Sequence, residues 1–183
     1  MDAEFQDFFR HAFPKTVAVL RQMGFGLEES ADSASEAMIA LLTSTAEITS
    51  PLAWVVKIAI RDASRNAQRA VLGRQKAALA ARRDRPKVSE IGSGQLDEVV
   101  LDLLMRLSPV RRQVIALYYQ GFETYEIADI LASKESTIRS HRRHAKIQLS
   151  GFVRELRAEV QGEFDEFLTL LQIEEVPTRG QRR

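Results

Sequence analysis

Residues 122–148 read FETYEIADILASKESTIRSHRRHAKIQ, and the rest of the chain is organised around them. From Tyr125 to Leu131 the pattern is that of a short amphipathic helix. Ile127 and Leu131 share one face, and Ala128 is small enough to let a second helix cross closely. Ala132 to Lys134 break the pattern, with Ser133 as the expected cap of the next helix. That second helical pattern starts at Glu135. Ile138, Ala145, Ile147 and Leu149 are expected to face inward, with Arg139, Ser140, Arg142, Arg143 and Lys146 on the other side. Two short helices, a tight turn and a basic second helix predict a helix-turn-helix that lays its second helix in a major groove.

Spacing of this kind recurs in many helical proteins, and a basic helix face is often only solvated. Charge separates the two possibilities. Between Lys134 and Ile147 there are five Lys or Arg (134, 139, 142, 143, 146) against one acid, Glu135: a local +4 in a chain whose total is +1. Phosphate neutralisation needs such a concentration. DNA binding is therefore the expectation, ahead of a structural helical hairpin.

At 183 residues the chain can hold one ordinary domain or two small ones. With 45% hydrophobic and 28% charged residues it can build a core. The sequence contains no cysteine, which removes disulfides, thiolate catalysis and sulfur-based zinc sites and fits a reducing cytoplasm. The N-terminal MDAEFQDFFRHAF is acidic and lacks the layout of a signal peptide. No apolar run approaches about 18 residues, so no membrane insertion is expected.

Residues 4–23 read as a helix with Phe5, Phe8, Phe9, Ala12, Val17 and Leu20 as its apolar stripe, stopped by Gly24 and Gly26. A second helix is expected from Glu28 to Leu42. Ala31, Ala34, Met38, Leu41 and Leu42 form its buried side, and Asp32, Ser35, Glu36 and Ile39 lie elsewhere. The first fifty residues carry eight acids and three bases, or −5. Ser50-Pro51 is a helix-start signature, opening a helix with Trp54, Ile58 and Ala59 on its packing side. Lys57, Arg61, Arg65 and Arg69 recur every four residues as one basic ridge. From Arg61 to Lys87 there are nine bases and two acids, or +7, so this stretch is either a solvated face or a second nucleic-acid surface.

Residues 74–83 have high helix propensity without an apolar stripe, and 84–95 read as linker. Leu96 to Leu107 is helical, with Val99, Val100, Leu103, Leu104 and Leu107 apolar. Ser108-Pro109 repeats the cap-and-proline start, and Gly121 ends that helix. Beyond the helix-turn-helix, Phe152, Leu156, Val160, Phe164, Phe167 and Leu171 continue at helical spacing. Glu155 to Glu175 holds seven acids and one base, or −6, and PTRGQRR reads as a disordered tail. The expected fold is all-α: two small helical domains, 1–72 and 96–157, joined by a flexible linker, 73–95, with an acidic helical extension and tail over 158–183. That extension is expected either to pack on the second domain as an extra helix or to act as a regulatory element covering a basic surface or docking on a partner.

The order of an acidic helical module, SPLAWVVKIAIRDASRNAQR, a short linker and LMRLSPVRRQVIALYYQGFETYEIADILASKESTIRSHRRHAK resembles a bacterial RNA polymerase sigma factor. It is similar to the extracytoplasmic-function type, the two-domain members of the sigma-70 family, over roughly residues 5–150. The resemblance implies that Asp32, Ser35, Glu36 and Ile39 meet the clamp helices of the polymerase largest subunit, with the flap as a further polymerase contact. It implies that the Pro51 helix and the loop from Thr43 to Ser50 read and open the minus-10 element, with an extruded base held in that loop. Lys57, Arg61, Arg65 and Arg69 then support binding and melting. Arg139, Ser140, Arg143 and His144 face the minus-35 element, with Lys146, Tyr125 and the basic Arg142 near the duplex. Leu117 stands where the family carries an arginine that helps hold DNA, and Ser133 and Lys134 replace apolar turn residues. These departures bear on the preferred promoter rather than on the family. Residues 73–95 can extend about 75 to 80 Å, and promoter elements some 17 base pairs apart lie about 58 Å apart. The partners implied are RNA polymerase core, promoter DNA and, as in many relatives, an anti-sigma protein; the compartment is the cytoplasm and no cofactor is expected.

An enzyme is the first competing class. His11 is isolated, and His141 and His144 sit three apart on a helix with no carboxylate or cysteine beside them, so neither catalysis nor a metal site is expected. A conventional helix-turn-helix regulator with an N-terminal sensor or partner-binding domain explains the second module equally well. It leaves the Ser50-Pro51 helix and its basic ridge without a purpose.

Overall fold

The computed structural model describes residues 3–78 and 95–156, with side chains placed over 4–71 and 100–152. Seven helices and no strand occur among the described residues. The chain divides into two compact units, Met1–Gly92 and Ser93–Arg183.

In the first unit α1 (Ala3–Met23), α2 (Leu27–Thr43) and α3 (Pro51–Ala78) pack on one another. Ala12, Val19, Leu20 and Met23 bury one stripe of α1, and Gly24 ends the helix at φ 101°, a left-handed conformation that glycine adopts without steric cost. Phe5, Phe8 and Val17 are only half-buried. Phe9, expected in the stripe, is 39% exposed and stacks on Phe13 with ring centroids 5.1 Å apart.

The buried side of α2 is made of small residues, Ser30, Ser33, Ala34 and Ala37, with Met38. Against α1 and α2, α3 buries Ala53, Val55, Val56, Ala59, Ile60 and Ala63, and Val55 and Val56 are fully buried where Trp54 and Ile58 are only half-buried. Small side chains let two helix axes approach closely, so backbone and methyl contacts replace large interdigitating groups. A polar clasp spans the seam: Ser33 Oγ donates to Asp62 Oδ2 at 3.0 Å, and Asn66 Nδ2 donates to the same oxygen at 2.9 Å. Leu42, expected in the core, is instead 53% exposed. It lies three residues beyond Ile39, on the side that neither α1 nor α3 covers. At its C-terminus α3 runs six residues past the expected domain boundary at 72, because RQKAA is good helix-forming sequence with nothing to stop it. The rest of the expected linker, 79–94, and the acidic extension, 158–183, lie outside the described residues.

The second unit holds α4 (Gln95–Met105), α5 (Pro109–Tyr119), α6 (Thr124–Ile130) and α7 (Glu135–Leu156). Its core joins Val100, Leu103, Leu104 and Leu107 to Ile115, Ala145 and Leu149, with Tyr119 and Phe152 packed against it. Ser108 occupies the N-cap of α5 with Pro109 after it, but its side chain makes no capping bond. The first turn is fixed by backbone and proline geometry alone. Arg112 performs the capping nearby. Its Nε donates to the Leu104 carbonyl at 3.0 Å, and Nη2 to the carbonyls of Met105 (3.0 Å) and Leu107 (3.2 Å), gathering the carbonyls where α4 ends. Leu117 is fully buried, so the residue that departs from the family arginine serves packing here.

Candidate nucleic-acid interface

Gly121, at φ 81°, reverses the chain after α5, with its N–H on the Tyr118 carbonyl and the Phe122 N–H on that of Leu117. Phe122 drops into the core, and the Glu123 N–H donates to Glu126 Oε2 at 2.9 Å, one arm of a capping box that starts α6. Tyr118 and Thr124 hydroxyls meet at 2.8 Å and tie α5 to this start. Ile127, Ala128 and Ile130 are buried, and Leu131 is half-buried.

The turn between α6 and α7 is built on Ala132 at φ 48°, with the N–H groups of Ala132 and Ser133 bonded back to Asp129 and Ala128. Ser133, the expected cap of α7, does not cap it. Its N–H completes the turn, and the residue directly before the helix is Lys134, whose carbonyl accepts from Thr137 and Ile138. The helix starts one residue later than the serine suggests because the turn consumes Ser133 in closing α6.

In α7, Ile138, Ala145 and Leu149 are buried at spacings of seven and four residues, a single stripe. Ile147, expected beside them, is 57% exposed, since two residues from Ala145 is a rotation of about 200° around a helix. Arg139, Ser140, Arg143 and His144 all lie exposed on the side away from the stripe. Arg139 Nη1 donates to Glu135 Oε2 at 2.7 Å. His144 Nδ1 donates to the Ser140 carbonyl at 2.8 Å, which leaves Nε2 for an outside partner. Arg142 is half-buried with its guanidinium 4.1 Å from the centroid of the Tyr118 ring, a cation–π contact that braces α7 on α5. Lys146 is half-buried, and Tyr125, on α6, is 64% exposed. The structure thus brings four of the named side chains to one open face and turns Arg142 toward protein. Glu135, absent from the sequence-derived set, belongs to this face; its only sequence signal is a spacing of four from Arg139.

In the first unit Asp32, Ser35, Glu36 and Ile39 are all exposed on α2, and Leu42 extends that surface. The loop 44–50 leads into α3, whose first turn is closed by the Trp54 N–H on the Ser50 carbonyl. Arg61, Arg65 and Arg69 are exposed along α3, with Arg65 Nε donating to the Arg61 carbonyl at 3.3 Å, while Lys57 is half-buried. Among the described residues no group of three or more His, Cys, Asp or Glu could hold a metal ion. No described helix is long and apolar enough to cross a membrane.

Residues 97–149, which include this helix-turn-helix, match the family model for sigma-70, region 4. That match runs from within α4 to within α7, so it covers the helices of the second unit. Among solved structures the chain is similar in fold to RpoE of Bartonella quintana, a sigma factor crystallised in complex with the anti-sigma factor NepR. The two share 19% identity with a TM-score of 0.64, over 84% of this chain and 98% of that one. No curated protein matches the chain.

Proposed function

We propose that the chain is a sigma factor of the extracytoplasmic-function type, which binds core RNA polymerase through the exposed side of α2 and directs it to promoters with two DNA-reading surfaces. Asp32, Ser35, Glu36 and Ile39 meet the clamp helices of the largest subunit. The loop 44–50 and α3 engage the minus-10 element, where Arg61, Arg65 and Arg69, with Lys57 behind them, stabilise opened DNA. In the second unit α7 enters the major groove at the minus-35 element. Arg139, Ser140, Arg143 and His144 face base edges; Lys146 and Tyr125 approach the backbone; Arg142 holds α7 in place from behind. The work is recognition and melting in the cytoplasm, with no bond made or broken by the chain itself. An anti-sigma protein is the natural antagonist for such a factor.

The observation that carries this reading is the division of α7 between a buried stripe and an open face holding Arg139, Ser140, Arg143 and His144. Transcription in vitro with purified core polymerase, followed by mapping of the start sites, tests it. Discrete starts that require the chain are the expected result. Arg139→Ala should relax the minus-35 preference by about 1 to 3 kcal/mol. Arg65→Ala or Arg69→Ala should weaken open-complex formation without changing that preference. A chain that binds promoter duplex equally well without core, and blocks rather than starts transcription, is a conventional regulator and refutes the proposal.

A further inference from the structure

We infer that Glu135 is a positioning residue for Arg139 and sets how sharply the recognition helix reads one base pair. The inference rests on the proposed seating of α7 in a major groove. Glu135 and Arg139 lie one turn apart at the start of α7, the end of a recognition helix whose residues reach base edges. Their contact is a charge-assisted hydrogen bond of 2.7 Å, yet the side chains remain 48% and 61% exposed. A pair so open to solvent contributes little to folding. Its effect falls on Arg139 itself, whose long side chain otherwise samples many rotamers.

The atoms involved suit that role. Glu135 engages Nη1, and the edge formed by Nε and Nη2 is a two-donor fork of the kind that matches guanine O6 and N7. With one end of the guanidinium held, the fork is ordered before DNA arrives. The carboxylate also brings a negative charge toward the phosphates, which lowers affinity for every sequence alike. Glu135 therefore trades general affinity for discrimination, the pattern of specificity built partly on repulsion. A purely structural residue could not move these two quantities in opposite directions.

The test uses the full chain assembled with core polymerase on duplex promoters randomised across the minus-35 element, with bound DNA sequenced. Wild type is compared with Arg139→Ala, Glu135→Ala and Glu135→Gln, and Glu135→Ser serves as a second removal variant should the alanine chain fold poorly. Arg139→Ala should abolish a guanine preference at one position. Glu135→Ala should reduce the preference at that same position about three- to tenfold, while binding to unrelated duplex rises about twofold. Glu135→Gln keeps an acceptor oxygen at the same reach and should restore most of the preference while retaining the higher background. If Arg139→Ala erases the preference and removing Glu135 leaves it intact, the inference fails and DNA reading by α7 stands. Loss at a different position in the Glu135 variants means that Glu135 reads a base of its own, which also overturns the inference. No change with Arg139→Ala would instead remove the reading of α7 on which the inference depends.

Discussion

On α2 the buried side consists of the small residues Ser30, Ser33, Ala34 and Ala37 with Met38, and the open side carries Asp32, Glu36, Ile39 and Leu42. On α7 the buried side is Ile138, Ala145 and Leu149, and the open side carries Arg139, Ser140, Arg143 and His144. Both helices spend one face on packing and leave the other for a partner. They differ in what those faces are made of. The open face of α2 mixes acids with large apolar groups, a composition that suits a protein surface, where burial of Ile39 and Leu42 supplies affinity. The open face of α7 is basic and polar, suited to phosphates and base edges. The packing faces differ for a related reason. In α2 small residues bring backbones together, and the polar clasp of Ser33, Asp62 and Asn66 fixes the register; in the second unit branched aliphatics fill space between helices.

Two core substitutions of opposite kind put this contrast under the most strain. Leu103 is fully buried, and Leu103→Ala leaves a cavity, with an expected loss of about 3 kcal/mol. Ala37 is also fully buried, but in the seam of small residues. Ala37→Leu must push α2 away from its neighbours, at an expected cost of about 2 kcal/mol or more. Hydrogen exchange read by mass spectrometry locates each loss: faster exchange in 95–152 for the first, and in 3–78 for the second. Should Ala37→Leu be accommodated without loss, the seam is looser than the buried alanines and serines indicate.

The open face of α2 predicts the reverse outcome. Ile39 and Leu42 are each 53% exposed, so replacing both with serine should change folding stability by no more than about 0.5 kcal/mol. Affinity for core polymerase should fall by about 1 to 2 kcal/mol. Titration of the labelled chain with core polymerase, beside a thermal melt, separates the two effects. A large drop in melting temperature with unchanged affinity would mean that these side chains belong to the first unit's own packing.

The two faces are not equally visible in the sequence. The helix-turn-helix is legible because its signals are local: a glycine before α6, an alternation of buried and basic positions, and a charge excess over fourteen residues. α7 misleads at Ile147, where apolar character suggests burial although its position turns it outward, and at Arg142, whose charge suggests the open side although it packs on Tyr118. α2 is harder to read. Ala34 and Met38 are buried as expected, but its other core residues, Ser30, Ser33 and Ala37, carry almost no hydrophobic signal, so size alone points to Leu42 as a core residue. Val55, Val56, Ile60 and Ala63 are overshadowed by the more conspicuous Trp54. The capping work of Arg112 and the Arg142–Tyr118 contact have no sequence signature, because each joins residues on separate helices whose meeting is set by the fold.

The smallest expected effect concerns the turn itself. Two positions flanking α6 have positive φ: Gly121 at 81°, where glycine meets no steric cost, and Ala132 at 48°, where a Cβ is strained. In the left-handed region an alanine costs roughly 1 to 2 kcal/mol relative to glycine, and the greater freedom of glycine in the unfolded chain returns part of that. Ala132 is exposed, so its methyl group contributes no core packing that removal would forfeit. Ala132→Gly should therefore stabilise the second unit by about 0.5 to 1 kcal/mol. The counterpart Gly121→Ala should destabilise it by about 1 kcal/mol, even though open space surrounds that position. Denaturant unfolding of the full chain, followed through exchange protection in α6 and α7, measures both. If Ala132→Gly also leaves minus-35 selectivity at the wild-type level, the strain in the turn is a cost of this sequence rather than a device that aims α7. If selectivity falls while stability rises, the strained turn holds the recognition helix at its working angle, and the contrast between the two units extends from their surfaces to the backbone.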